Sequence, residues 1–185
     1  DGVLDRLQIG AVPRADVHQG EYVPESDARL AYISGFTGSA GLAVVGVAKS
    51  ALFVDSRYTL QAPAQTDTAI FTVIDTTFTS PGDWIAENLP KGTTLGFDPW
   101  LLTPGMLDGL KAPLDKAGIA LKPVENPIDL LWENRPAPPQ GPIEVLGHNR
   151  TGKSAGDKLA DLRKSMSDES ADATVFTLPE SLCWL

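Results

Sequence analysis

Among the side chains suited to chemistry, Arg57 is the one whose placement departs from local rules. The run Ala51-Leu52-Phe53-Val54 reads as a strand and leads straight into Asp55-Ser56-Arg57-Tyr58. Asp55 or Ser56 can cap the helix that follows by accepting a backbone N–H of its first turn. A cation in that turn faces the positive end of the helix dipole and is disfavoured there. The local sequence favours a surface ion pair with Asp55 or another carboxylate. The alternative is a planar guanidinium aimed outward at a carboxylate or carbonyl of a ligand.

The other candidates are thinner. His18 and His148 are the two histidines, and they sit in different expected domains. A protein metal site takes three or four ligands from His, Cys or clustered carboxylates, and no such cluster is visible in the sequence. His18, in Asp16-Val17-His18-Gln19-Gly20-Glu21, reads as a polar loop residue or the lip of a site. The single cysteine, Cys183, cannot form an internal disulfide and reads as a small buried hydrophobe without a role. Four tryptophans, at 84, 100, 132 and 184, read as core or interface anchors.

The string "ISGFTGSAGLAVV" (33–45) holds three glycines in seven positions. Such a loop grips phosphate when it opens a helix whose first N–H groups point at the anion. Here a β-branched run follows the glycines, and the helical pattern (26–34, with Ser26 as cap) precedes them. Gly35 then serves as a left-handed helix stop. The loop is expected to be a packed helix-to-strand connection with Phe36 as its apolar anchor.

These residues must be positioned by an alternation of strands and helices. Strands are predicted at 9–12, 42–47, 51–54, 70–74, 94–97 and 119–124, and helices at 26–34, 57–65, from Ser80-Pro81 onward, and from Thr103-Pro104 to about 116. The order predicts an α/β fold, a mixed sheet flanked by helices on both faces, with 42–54 as an antiparallel hairpin. Residues 1–133 are expected to form this domain, and 134–150 a proline-rich linker, since four prolines fall within 133–142. Residues 151–185 then read as the start of a second, truncated α/β domain, with a helix at 154–166 and a strand at 173–178, as in a fragment of a longer protein. The 24 acidic against 15 basic residues give a net charge of -9, which argues against nucleic acid and anionic membrane as partners. A cytoplasmic setting is the default for one unpaired cysteine and no membrane-length apolar run. The chain starts at Asp1 without a methionine, so a leader stays open.

Five strings in fixed order, "PRADVHQGEYVP" (13–24), "RLAYISGFTGSAG" (29–41), "ALFVDSRYTLQAPAQTD" (51–67), "GFDPW" (96–100) and "NPIDLLWENRPAPP" (126–139), resemble the amino-terminal domain of the long-form Xaa-Pro aminopeptidases, or aminopeptidase P. The tail "ADATVFTLPESLCWL" resembles the start of that family's second domain. The family's usual first helix is missing ahead of Asp1, and Ser56 replaces a more common glycine. The resemblance implies a creatinase-type domain without catalytic residues. Catalysis would reside in a carboxy-terminal pita-bread domain whose two manganese ions activate water against the peptide bond before proline. This part would shape the substrate entrance and the interface of an expected homodimer. The family's D-x-R-Y arginine is a substrate contact and falls on Arg57, which raises the ligand reading of that residue. His18 and Tyr58 are weaker candidates for the same face. Two competing readings are a non-enzymatic peptide-binding relative that has lost its metal ligands, and a creatinase-type amidinohydrolase.

Overall fold

In the computed structural model of the protein, which describes residues 9–185, six strands join in one sheet: β1 (Ile9–Pro13), β2 (Leu42–Gly46), β3 (Ser50–Val54), β4 (Phe71–Asp75), β5 (Thr94–Phe97) and β6 (Ala120–Pro123). Their order is β4-β3-β2-β1-β5-β6. The pairs β1–β2 and β2–β3 are antiparallel, and the other three are parallel, so the sheet is mixed and 42–54 is a hairpin as expected.

Side chains alternate between two cores, as the period of two along a strand requires. Ala11, Val44, Ala51, Phe53 and Leu95 point to one face, where they meet Trp84 and Ile85 of α3 (Pro81–Asn88) and Leu110 and Leu114 of α4 (Pro104–Ala117). Val12, Ala43, Leu52 and Val54 point to the other. There they meet Leu30 of α1 (Arg29–Ser34), Ala62 of α2 (Gln61–Gln65) and Ile128 of α5 (Pro127–Leu131). Helices therefore cover both faces. Ser80 and Thr103 cap α3 and α4 by accepting the N–H of Asp83 and Met106, each with proline next in line. Gly35 and Gly118 end their helices at φ of 77° and 71°.

Two expected helices start differently. The 26–34 segment divides into a 3₁₀ turn (Glu25–Asp27) and α1, so Ser26 is not the cap of α1. Ser26 is buried instead, and its carbonyl accepts Nε of Arg135 at 2.6 Å. The expected 57–65 helix likewise divides into a 3₁₀ turn (Ser56–Tyr58) and α2.

The described residues form two compact units, the first reaching to Val17 and then taking in Glu21–Pro138, the second His18–Gly20 with Pro139–Leu185. The second contains α6 (His148–Thr151), α7 (Ala155–Asp168) and α8 (Pro179–Trp184). Ser154 caps α7 by accepting the Asp157 N–H, and Lys158 donates to the Trp184 carbonyl with its ammonium 4.5 Å from that indole's centroid. The expected strand at 173–178 is not formed. A strand needs a ladder partner, none of the described residues supplies one, and Val175 is exposed. Cys183 is exposed as well, contrary to its expected burial. His148 opens α6.

Within the first unit a four-residue ion cluster fastens the end of that unit to α1. Arg29 donates from Nε and Nη2 to the two Asp129 oxygens at 2.7 and 3.0 Å and from Nη1 to Asp27 at 2.9 Å. Arg135 reaches the same two carboxylates at 3.1 and 3.0 Å. Trp132 stacks on Tyr32 with centroids 4.5 Å apart. Only 6% of the Arg29 side chain is exposed. Burial pulls the Arg29 pKa down, but the bonds to Asp129 and Asp27 outweigh it and raise it above its ordinary value. Burial pushes the Asp129 carboxyl up, yet Arg29 and Arg135 hold it below its ordinary value. A carboxyl lowered on folding adds stability that is complete above its unfolded pKa and lost as pH falls through the folded one. Asp129→Asn should therefore cost about 1–3 kcal/mol at neutral pH. Its thermal midpoint should also fall less steeply than the parent's below about pH 4, as calorimetry across pH 2–7 would read.

Candidate functional site

The carboxyl end of β3 is where functional groups converge. All five residues of the strand are buried, so Val54 delivers Asp55 at a fixed point on the rim of the sheet. Asp55 caps the following 3₁₀ turn: its Oδ1 accepts the backbone N–H of Arg57 at 2.9 Å. The same carboxylate grips the Arg57 side chain, with Nε 3.0 Å from Oδ1 and Nη2 2.7 Å from Oδ2. The ion pair that the local sequence favours is thus present, while 63% of the Arg57 side chain remains exposed. The bond from Arg57 lowers the Asp55 carboxyl below its ordinary pKa, and Asp55 raises the Arg57 guanidinium.

Tyr58 completes the arrangement. The Arg57 guanidinium carbon lies 5.1 Å from the Tyr58 ring centroid, within cation–π range. The phenol shares a 2.7 Å hydrogen bond with the Ser39 hydroxyl and accepts the Ser39 N–H at 3.0 Å. Those bonds, with the Arg57 charge, hold the Tyr58 phenol below its ordinary pKa. The ring meets Phe36 edge-on at 5.4 Å. A small cleft of about 170 Å³, walled by Gly41, Phe53, Asp55, Thr76 and Pro81, opens beside them.

The glycine loop is the support of this site. Phe36 is 1% exposed, and β2 follows the loop with no helix opened by it. A Cβ at Gly38 would stand 2.1 Å from the Phe36 ring, and one at Gly35 would stand 2.6 Å from the Gln65 carbonyl oxygen. Gln65 in turn accepts the Thr37 N–H at 3.0 Å, fastening α2 to the loop.

Of the residues singled out in the sequence, the first unit brings Arg57 and Tyr58 together. His18 is exposed and groups with the second unit. Trp84 and Trp132 are packed, whereas Trp100 is 73% exposed. Asp55 and Ser39 hold the two candidates: the sequence offers Asp55 as the ion-pair partner of Arg57, but nothing local points Ser39 at Tyr58. Among the described residues no group of three or more His, Cys, Asp or Glu is placed to hold a metal ion, so these residues do not fit a manganese site. No described helix is long and apolar enough to cross a membrane. A separate groove of about 500 Å³ on the sheet is lined mainly by apolar groups such as Val12, Ile33, Phe71 and Leu131 and gathers little chemistry.

A mixed sheet covered on both faces is the architecture of a known domain class. Residues 22–131 match the creatinase/prolidase N-terminal domain, residues 134–185 match a second family of that description, and the chain belongs to this family. Among individual proteins, it is 40% identical to the probable Xaa-Pro aminopeptidase P of Sordaria macrospora over 97% of this chain and 30% of that protein. It is 37% identical to the probable Xaa-Pro aminopeptidase P of Aspergillus niger over the same shares. The structure resembles the X-prolyl aminopeptidase of Caenorhabditis elegans, described as a cytosolic enzyme with a di-nuclear active site, with a TM-score of 0.82 and 30% identity over 96% of this chain and 30% of that one. The N-terminal domain of the cytoplasmic peptidase PepQ of Mycobacterium tuberculosis shares the fold, at a TM-score of 0.51 and 23% identity over 69% of this chain and 89% of that one. The chain spans about 30% of the length of its Xaa-Pro aminopeptidase relatives.

Because Phe36 is core and has no room to retreat, Gly38→Ala should destabilise the protein by about 1–3 kcal/mol. A urea midpoint lowered accordingly, without a change of slope, would register it.

Proposed function

We propose that the chain is the non-catalytic amino-terminal part of a manganese-dependent Xaa-Pro aminopeptidase, which removes the residue preceding proline from peptides in the cytoplasm. The observation that carries this reading is the likeness over 96% of the chain to an X-prolyl aminopeptidase. The metal ligands would lie in further polypeptide, in a carboxy-terminal pita-bread domain, since the described residues do not fit them. When bound there, two manganese ions would supply an activated water and a polarised carbonyl. Residues 1–133 would form the creatinase-type domain, 134–150 the linker and 151–185 the start of the next domain.

On this reading the first unit shapes the substrate entrance and the interface of a homodimer. Arg57 is its substrate contact: an always-charged fork with donors to spare, mounted on a rigid strand end. Tyr58 gives the guanidinium an aromatic floor. His18 is carried as a weaker substrate-face residue.

The test is manganese-dependent release of the first residue from an Xaa-Pro peptide by the full-length protein. Arg57→Ala should lower kcat/KM about tenfold or more. Activity that ignores Arg57→Ala would remove that residue from the site, and a full-length protein that binds such peptides without cleaving them would favour a non-enzymatic binding module.

A further inference from the structure

Arg57 lies exposed, yet it is not free to wander. One carboxylate, that of Asp55, takes the Arg57 backbone N–H, Nε and Nη2 together at 2.9, 3.0 and 2.7 Å. The Tyr58 ring lies against the guanidinium, and Ser39 of the glycine loop holds Tyr58 by two hydrogen bonds. An exposed arginine ordinarily samples many rotamers, and ordering it on a ligand costs entropy. Here the ordering is done beforehand. Among the described residues no hydrogen bond engages Nη1, so this nitrogen is the edge left for a ligand. The pair is also neutral as a whole. It therefore presents directed N–H donors to an uncharged peptide carbonyl, with less pull on a free carboxylate than a lone arginine would exert.

We propose that Asp55 is a positioning residue that pre-orders Arg57 and turns its Nη1 edge toward a backbone carbonyl of the peptide substrate. The inference rests on the reading of Arg57 as a substrate contact. It assigns Asp55 no contact with the reacting atoms.

The test is a double-mutant cycle in the full-length enzyme, with an Xaa-Pro peptide assayed as its free acid and as its amide. Asp55→Asn keeps an oxygen to cap the 3₁₀ turn but gives up the charge that holds the fork. It should raise KM several-fold with kcat little changed, and penalise the amide more than the free acid. In the Arg57→Ala background the same substitution should have no further effect, because nothing is left to position. Asp55→Ser, which also keeps a capping oxygen, should behave as Asp55→Asn does. Equal losses from Asp55→Asn with and without Arg57 would overturn the proposal, as would an unchanged KM in a protein whose activity falls on Arg57→Ala. Unfolding of both Asp55 variants would assign the residue to the fold and overturn it too. If Arg57→Ala itself leaves activity intact, the substrate reading and this inference fall together, an outcome distinct from failure of the Asp55 step alone.

Discussion

Every residue of β3 is buried, and its side chains alternate between a core built with α3 and α4 and a core built with α1, α2 and α5. A slip of one residue would send Phe53 into the space of Leu52 and reverse every other placement, so the register is strongly specified. That constraint is what gives the next few residues their precision. Asp55 emerges from a strand that cannot shift, caps a turn in one step, and so carries Arg57 and Tyr58 to a defined spot on the rim. The candidate site is mounted on a rigid element, which holds a donor to closer tolerance than a free loop does.

The second fixed point is electrostatic. Arg29, Asp27, Asp129 and Arg135 bring two positive and two negative charges into one partly buried cluster, with each carboxylate bonded to both guanidinium groups. Burying Arg29 alone would be prohibitive. With two acids at hydrogen-bond distance the desolvation is offset, and the arrangement specifies which segment meets which. Its effect is to hold the end of the first unit against α1, whose last turn leads through Gly35 into the loop beneath Tyr58. The cluster and the candidate site are thus successive attachments along one stretch of chain.

Local chemistry made much of this legible in the sequence. Ser80-Pro81 and Thr103-Pro104 announce helix starts that form there, and Gly35 is a left-handed stop as read. The hairpin, the alternation of elements and the packed character of the glycine loop follow from period and punctuation. What stayed hidden depends on partners far along the chain. Ser26 resembles a cap, but its carbonyl answers to Arg135, 109 residues away, and α1 starts later. Residues 173–178 have the composition of a strand and find no neighbour to pair with among the described residues. Charged residues within apolar strings, Arg29 and Asp129 above all, were the available hint of the ion cluster. Asp27 stands two residues from Arg29, but nothing local pairs Arg29 with Asp129, 100 residues along the chain.

The sheet ends at β6, four residues long, with Lys122 on it and Pro123 closing it. Proline has no N–H to offer, and a lysine on an outer strand deters a newcomer from zipping alongside. Backbone-to-backbone recruitment of another polypeptide is therefore discouraged at that border. Whatever meets the domain at that border is steered toward side-chain surfaces, where shape and charge can be selected, and away from the indiscriminate adhesion that bare strands invite.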